Sequence, residues 1–276
     1  MAITAKDVNK LRQMTGAGMM DCKKALTEAN GDFDAAIDIL RKKGQKVSDK
    51  RSDRETNEGS VFIKTNADNT EATLIAIGCE TDFVAKNDAF LELGNTVLDI
   101  AFDQKPETID ALKQLSAGDL TVGEKIIELV GKIGEKLEVI AYENVTGEAI
   151  VPYTHAGGKL GVLVNLQGAN GADVEAAGKD VAMQIAAMNP IAVNESEVPE
   201  DVKARELEIG KEQARAEGKP EAMLEKIAMG KLNKFYKETT LLKQAFVKDP
   251  KKSVAQYLDG VEKGLTVSSF KRIKIG

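Results

Sequence analysis

Apolar residues near the N-terminus recur at helical spacing. Val8 and Leu11 share one face of a segment that starts at Thr4, with Asp7 three residues on as in a capping box. Thr15-Gly16-Ala17-Gly18 breaks that helix. Cys22, Ala25, Leu26 and Ala29 then fall at i, i+3, i+4 and i+7, and Phe33, Ala36, Ile37 and Leu40 repeat the spacing behind Asp32. Residues 1–44 therefore read as a three-helix unit, with Gly44 as the residue that ends the third helix. Residues 45–59 are mixed charge without an apolar stripe, which predicts a linker or at most a solvated helix extension.

From residue 60 the period changes. SVFIK at 60–64 and EATLIAIGC at 71–79 are β-rich runs around Asp68-Asn69, followed by a loop and a helix over 88–102. The same order returns: strands over 148–155 and 160–166 around Gly157-Gly158, then a helix over 172–188. Between the copies lie a helical stretch near 122–134 and a strand over 137–145. This is the pattern of a diverged duplication, giving two related α+β subdomains with antiparallel sheets over 60–146 and over 147–198 with 238–276. Residues 199–237 are rich in Glu, Lys, Arg and Ala with Gly218-Lys219-Pro220 in the middle, which predicts a protruding helical hairpin. Its expected apolar arms are Val202, Leu207 and Ile209 against Met223, Leu224, Ile227 and Leu232. A short helix over 253–263 and a strand over 265–275 complete an α+β fold.

Composition narrows the chemistry. The chain has 276 residues, one histidine (His155) and two cysteines (Cys22 and Cys79), so a zinc site built on paired histidines or a CxxC cluster cannot form. Aromatics make up 4%, with no Trp, and Lys+Arg 38 against Asp+Glu 44 gives a net charge of −6. Neither figure suits direct nucleic-acid binding, which draws on basic surfaces and stacking rings. No run is long and apolar enough for a membrane span and the start has no secretory pattern, so the expectation is a cytoplasmic protein with reduced thiols.

The glycine clusters lack a phosphate-loop spacing and read as turns. His155 has no acid or nucleophile placed to complete a triad, and Cys22 and Cys79 read as small core residues. A hydrolase using Cys79 would also need a base that the sequence does not supply. No metal site, cofactor site or catalytic constellation emerges, and the chain reads as a binding protein rather than an enzyme.

Two features stand out from that background. Glu80-Thr81-Asp82-Phe83-Val84-Ala85-Lys86-Asn87-Asp88 sets an aromatic in a polar loop between a strand and a helix. Two readings fit: a plug tucked under its own loop, or a projecting interface wedge. Met19 and Met20 are consecutive in a helix, so at least one of them is expected to be exposed, either as a tolerated surface residue or as a partner contact.

At these two places the sequence resembles the bacterial elongation factor Ts family. One match is Leu11-Arg12-Gln13-Met14-Thr15-Gly16-Ala17-Gly18-Met19-Met20-Asp21-Cys22-Lys23-Lys24-Ala25-Leu26, and the other is Thr81-Asp82-Phe83-Val84-Ala85-Lys86. Gly161-Val162-Leu163-Val164 and Gly230-Lys231-Leu232-Asn233-Lys234-Phe235 extend the likeness over nearly the whole chain. The resemblance implies a ubiquitin-associated-like helical domain, a duplicated core and a helical hairpin. It also implies a guanine nucleotide exchange factor acting in translation elongation on the GTPase elongation factor Tu, in its GDP-bound and nucleotide-free states. By the same resemblance, the exchange loop is Thr81, Asp82, Phe83 and Val84, with Asp82 and Phe83 intruding beside the partner's magnesium site.

The family pattern further implies that Leu11, Met19 and Met20 hold a helix of the partner's nucleotide domain. Asp82 is expected to repel at a metal-phosphate site or to orient the loop by capping the following helix. Where some relatives carry a histidine in the second subdomain's helix, this sequence has Gln184, a candidate partner contact. Some members have a further helix after the last strand that touches the partner, and this contact is expected to be missing here. A homodimer or a 2:2 complex stays open, as does the role of the hairpin. The competing reading is an adaptor whose small helical domain binds nascent chains or ubiquitin-like folds, and it assigns no purpose to the TDFV loop.

Overall fold

Thr4 caps the first helix as its spacing from Asp7 predicts: its hydroxyl accepts from the Asp7 amide at 3.2 Å while the Asp7 carboxylate accepts from the Thr4 amide at 3.0 Å. That helix, α1 (Ala5–Thr15), opens a computed structural model that describes residues 3–276. Gly16 ends it in the left-handed region at φ 67°, and α2 (Met19–Glu28) and α3 (Phe33–Lys50) follow. Val8, Leu11, Cys22, Ala25, Leu26 and Ala36 form the shared core of the three helices.

The first subdomain runs β1 (Glu58–Thr65), β2 (Glu71–Cys79), α4 (Asp82–Ala85), α5 (Asp88–Gln104), α6 (Ile109–Gln114), α7 (Val122–Ile133) and β3 (Leu137–Thr146). Its strands form one antiparallel sheet in the order β1-β2-β3. Phe62, Ile75 and Ile77 on one face of the sheet meet Phe90, Val97 and Leu129 of α5 and α7.

Gly44 does not end the third helix. It lies within α3, where an added Cβ would come 3.0 Å from the Ile127 carbonyl oxygen, and one on Gly131 would come 2.9 Å from the Gly44 Cα. The two glycines let α3 cross α7 backbone to backbone. Burial at that crossing outweighs glycine's poor helix propensity, about 1 kcal/mol. The stretch expected as a linker over 45–59 is correspondingly short: the helix continues to Lys50 and β1 already starts at Glu58.

The second subdomain repeats the plan with β4 (Ala149–Thr154), β5 (Leu160–Gln167) and α8 (Glu175–Met188). The chain then leaves as a helical hairpin, α9 (Glu200–Ala216) and α10 (Glu221–Thr239). It returns through the short pair β6 (Ala245–Phe246) and β7 (Asp249–Ser253) and helix α11 (Val254–Val261), and closes with β8 (Thr266–Lys274). The sheet order is β4-β5-β8, again antiparallel.

The duplication extends to irregularities. The pairing of β2 with β3 skips Ile140, and that of β5 with β8 skips Ser268, a bulge at the corresponding place in each sheet. In each copy the helix also carries a glycine against the first strand: a Cβ on Gly94 would overlap the Phe62 ring, and one on Gly178 would overlap Val151. The remaining faces of the two sheets meet through Val61, Leu74, Ala76, Ile150, Leu163 and Ile275. The core is thus helices, sheet, sheet, helices, in that order.

In the hairpin the contacts differ from the expected arms. Gly210 and Ala214 of α9 face Leu224 and Ala228 of α10, while Ile209 and Met223 are exposed. The small residues bring the helices close: a Cβ on Gly210 would sit 3.1 Å from the Ala228 Cα. Close backbone approach joins the arms there, while nearer the body the expected Val202, Leu207 and Leu232 pack in one apolar cluster with Val198 and Tyr236.

Candidate functional site

Residues 81–85 form a single helical turn with opposed faces. Thr81 caps it, its hydroxyl accepting from the Val84 amide at 3.4 Å. Val84 and Ala85 are buried in the first subdomain's core. In one turn of helix, two inward residues leave the preceding two outward. Asp82 and Phe83 accordingly face solvent, and Phe83 is 82% exposed, the most exposed large apolar side chain among the described residues. Of the two sequence readings of Phe83, the plug is excluded and the projecting ring is observed.

The turn is braced from below. The Thr81 amide and hydroxyl both donate to the Glu135 carboxylate, at 3.1 and 2.8 Å, and the Cys79 thiol donates to the Thr81 carbonyl at 3.1 Å. Glu80, one residue earlier, accepts both oxygens' worth of hydrogen bonds from Arg51 at 2.8 and 2.9 Å and one from the Lys136 amide at 2.7 Å. Burial pushes the Glu80 carboxyl up, but the Lys136 amide and the Arg51 guanidinium together outweigh it and hold it below the usual range. A ring on a short helical turn is therefore presented from a fixed base.

Asp82 does not cap the following helix, because Asn87 does so by accepting from the Ala89 amide at 2.9 Å. Asp82 pairs instead with Lys86, one turn on, at 2.8 Å. The Lys86 hydrogen bond and charge lower the Asp82 pKa, and the Asp82 hydrogen bond and charge raise that of Lys86. Both groups are exposed, so the pair is a local, solvated one.

On the three-helix unit, Met19 and Met20 are the first residues of α2, and both are exposed, at 55% and 63%. Met14, which the sequence reading left aside, is equally open on the other side of the Gly16-Ala17-Gly18 turn. Leu11 is not part of this surface. It is fully buried, and acts only by packing the unit that presents the methionines.

Gln184 is likewise no part of the exposed surface. It is fully buried in α8, donates to the Gln244 side chain and the Ala245 carbonyl at 3.1 Å each, and accepts from the Val247 amide at 2.8 Å. All its polar atoms are engaged in tying the second subdomain's helix to the segment after the hairpin. It is a structural bracket.

Cys79 is no nucleophile either: burial, with Glu135 and Glu58 nearby, pushes its thiol up to about 12. Among the described residues no three His, Cys, Asp or Glu side chains converge as a metal cage. None of the described helices is long and apolar enough to cross a membrane. The cleft between the three-helix unit and α7, lined by Met14, Ile37, Leu40 and Lys132, holds about 170 Å³. That is below the roughly 300 Å³ at which small-molecule sites begin, whereas a shallower groove lined by Asn194, Lys237, Leu242 and Ser253 holds about 570 Å³.

The bracing residues Arg51, Glu80, Glu135 and Lys136 escaped the sequence reading. Their pairings span 29 to 56 positions, and each residue in isolation looks like an ordinary surface charge.

Comparison with known proteins places these features in a lineage. A family model described as "Elongation factor TS" matches residues 80–276. A protein of Amoebophilus asiaticus named elongation factor Ts is 59% identical over 276 residues, covering all of both chains. Its counterparts in Cytophaga hutchinsonii and Christiangramia forsetii are 58% and 50% identical, each over 99% of both chains.

Proposed function

The chain belongs to the elongation factor Ts family, a family of translation elongation factors, and from that premise we propose that it is a non-enzymatic nucleotide exchange factor for elongation factor Tu. It binds the GTPase, inserts the TDFV turn near the partner's Mg²⁺ site and promotes GDP release. Thr81 and Val84 hold the turn, Phe83 is the wedge and Asp82 supplies local charge. Met19 and Met20 anchor the three-helix unit on the partner, with Leu11 supporting them from within.

The observation that carries this reading is the exposure of Phe83 on a braced turn. An isolated protein gains nothing from holding an aromatic ring in water, whereas burying it in a partner contributes roughly 1.5–3 kcal/mol. By linkage, a factor that prefers the nucleotide-free partner must weaken GDP binding by the same factor that GDP weakens its own. An energy of that size corresponds to roughly ten- to a hundredfold. The adaptor reading leaves Phe83 without a role.

The decisive experiment loads elongation factor Tu with a fluorescent GDP and follows its release on adding stoichiometric amounts of this protein. Acceleration is expected, and unchanged release would overturn the proposal.

A further inference from the structure

The clamp on Glu80 joins the two projecting surfaces. Arg51 is the cap residue at the C-terminal end of α3, the helix whose first half is packed into the three-helix unit and whose second half crosses α7 at Gly44 and Gly131. Lys43 of α3 pairs with Asp21 of α2, one residue after Met20. From the far end of the same helix, Arg51 grips Glu80 with two bonds, and Glu80 directly precedes the turn that carries Phe83.

Further ties hold the crossing segment to the base of the turn. The Lys136 ammonium donates to the Arg54 carbonyl at 3.0 Å, and the Thr56 hydroxyl donates to Glu138 at 2.6 Å. The Glu80 side chain is 16% exposed and that of Arg51 35%, so the pair is shielded more than an open surface pair. One Arg51 guanidinium nitrogen reaches both Glu80 carboxylate oxygens, and the Lys136 amide holds the same carboxylate from the other side, so the pair is tied at both ends.

We infer that Arg51 and Glu80 are positioning residues for exchange: they transmit the seating of the three-helix unit on a partner to the orientation of Phe83. Neither needs to touch the partner's nucleotide. This inference rests on the exchange reading and adds a mechanical link between its two contact surfaces.

The test compares wild type, Arg51→Met, Arg51→Lys, Phe83→Ala and the Arg51→Met/Phe83→Ala double variant. Release of fluorescent GDP from elongation factor Tu is followed as a function of factor concentration, with melting temperatures measured in parallel. Arg51→Met is expected to lower the saturating release rate roughly two- to fivefold, the upper range for a partly shielded ion pair. Half-saturation should change less than the rate, and Arg51→Lys should restore part of the loss. In the Phe83→Ala background, Arg51→Met should have no further effect, since the link then has nothing to position.

A wild-type rate in Arg51→Met at saturation would overturn the inference while leaving the exchange reading intact. So would a loss that simply multiplies with that of Phe83→Ala, or one that follows the melting temperature alone. If wild type itself fails to accelerate release, the exchange reading falls and takes this inference with it.

Discussion

At the scale of single residues, exposure separates side chains that can meet a partner from those that hold the molecule together. Phe83→Ala removes a ring that makes little use of the protein's own core, so its unfolding free energy should stay within about 0.5 kcal/mol of wild type. GDP release should meanwhile slow by roughly ten- to a hundredfold. Thermal unfolding and exchange kinetics on the same sample check both. Gln184→Ala should do the reverse. It leaves the part-buried Val247 amide and the Gln244 Oε1 without their partner, at a cost of about 1–3 kcal/mol, seen as a lower melting temperature. Glu80 predicts an acid-side effect. Its folded-state pKa lies below the ordinary 4.5, so its stabilising contribution is full above about pH 4.5 and is lost as pH falls through the folded value. Glu80→Gln should flatten that part of the stability-pH profile, measured by denaturant unfolding between pH 3 and 6.

At the scale of elements, the fold relies on glycines where helices approach other backbone. Gly44 and Gly131 seat α3 on α7, Gly94 and Gly178 seat one helix on each sheet, and Gly210 joins the hairpin arms. A valine at Gly44 would press on the Ile127 carbonyl and push α3 off α7. The three-helix unit has its own core, so Gly44→Val should leave overall helicity nearly unchanged by circular dichroism. Limited proteolysis should instead show new cleavage between residues 45 and 57, and affinity for elongation factor Tu should fall. A cleavage pattern identical to wild type would count against the crossing as the seat of the unit.

At the scale of the whole molecule, the two subdomains share one sheet-to-sheet interface and are predicted to melt together. Gly161 lies in that interface: a Cβ there would overlap Val61 and press on Leu74 at 3.2 Å. Gly161→Val should therefore lower a single cooperative transition and speed hydrogen exchange in both sheets, including β1 and β2. Faster exchange confined to β4, β5 and β8 would mean that the copies are energetically separate. The same architecture gives the proposed exchange reading its rigidity, since the turn bearing Phe83 is anchored in one copy and reached by a helix from the N-terminal unit.

Much of this was legible along the chain. Helical stripes, capping signals such as Thr4 with Asp7, alternating strands and the repeated strand-strand-helix order depend on neighbours a few positions apart, and those neighbours are printed in the sequence. Local spacing also marks Phe83, Met19 and Met20 as unusual, but it leaves open whether Phe83 is a plug or a projection and whether one or both methionines are exposed. Burial is decided by packing between distant segments: the helical stripe rightly places Leu11 with Val8, but other positions are not legible from neighbours. The family resemblance implies Leu11 and Gln184 as partner contacts, yet both lie inside, and Gly44 looks like a helix stop until α7 arrives to fill the space beside it. The Arg51–Glu80 pair, 29 positions apart, has no local signature at all. The sequence alone determined most of the elements and the residues to examine, because hydrogen bonding and periodicity act over a few residues. Only the tertiary structure decided which surfaces stay open and how they are linked, because long-range contacts depend on where the folded chain brings distant residues together.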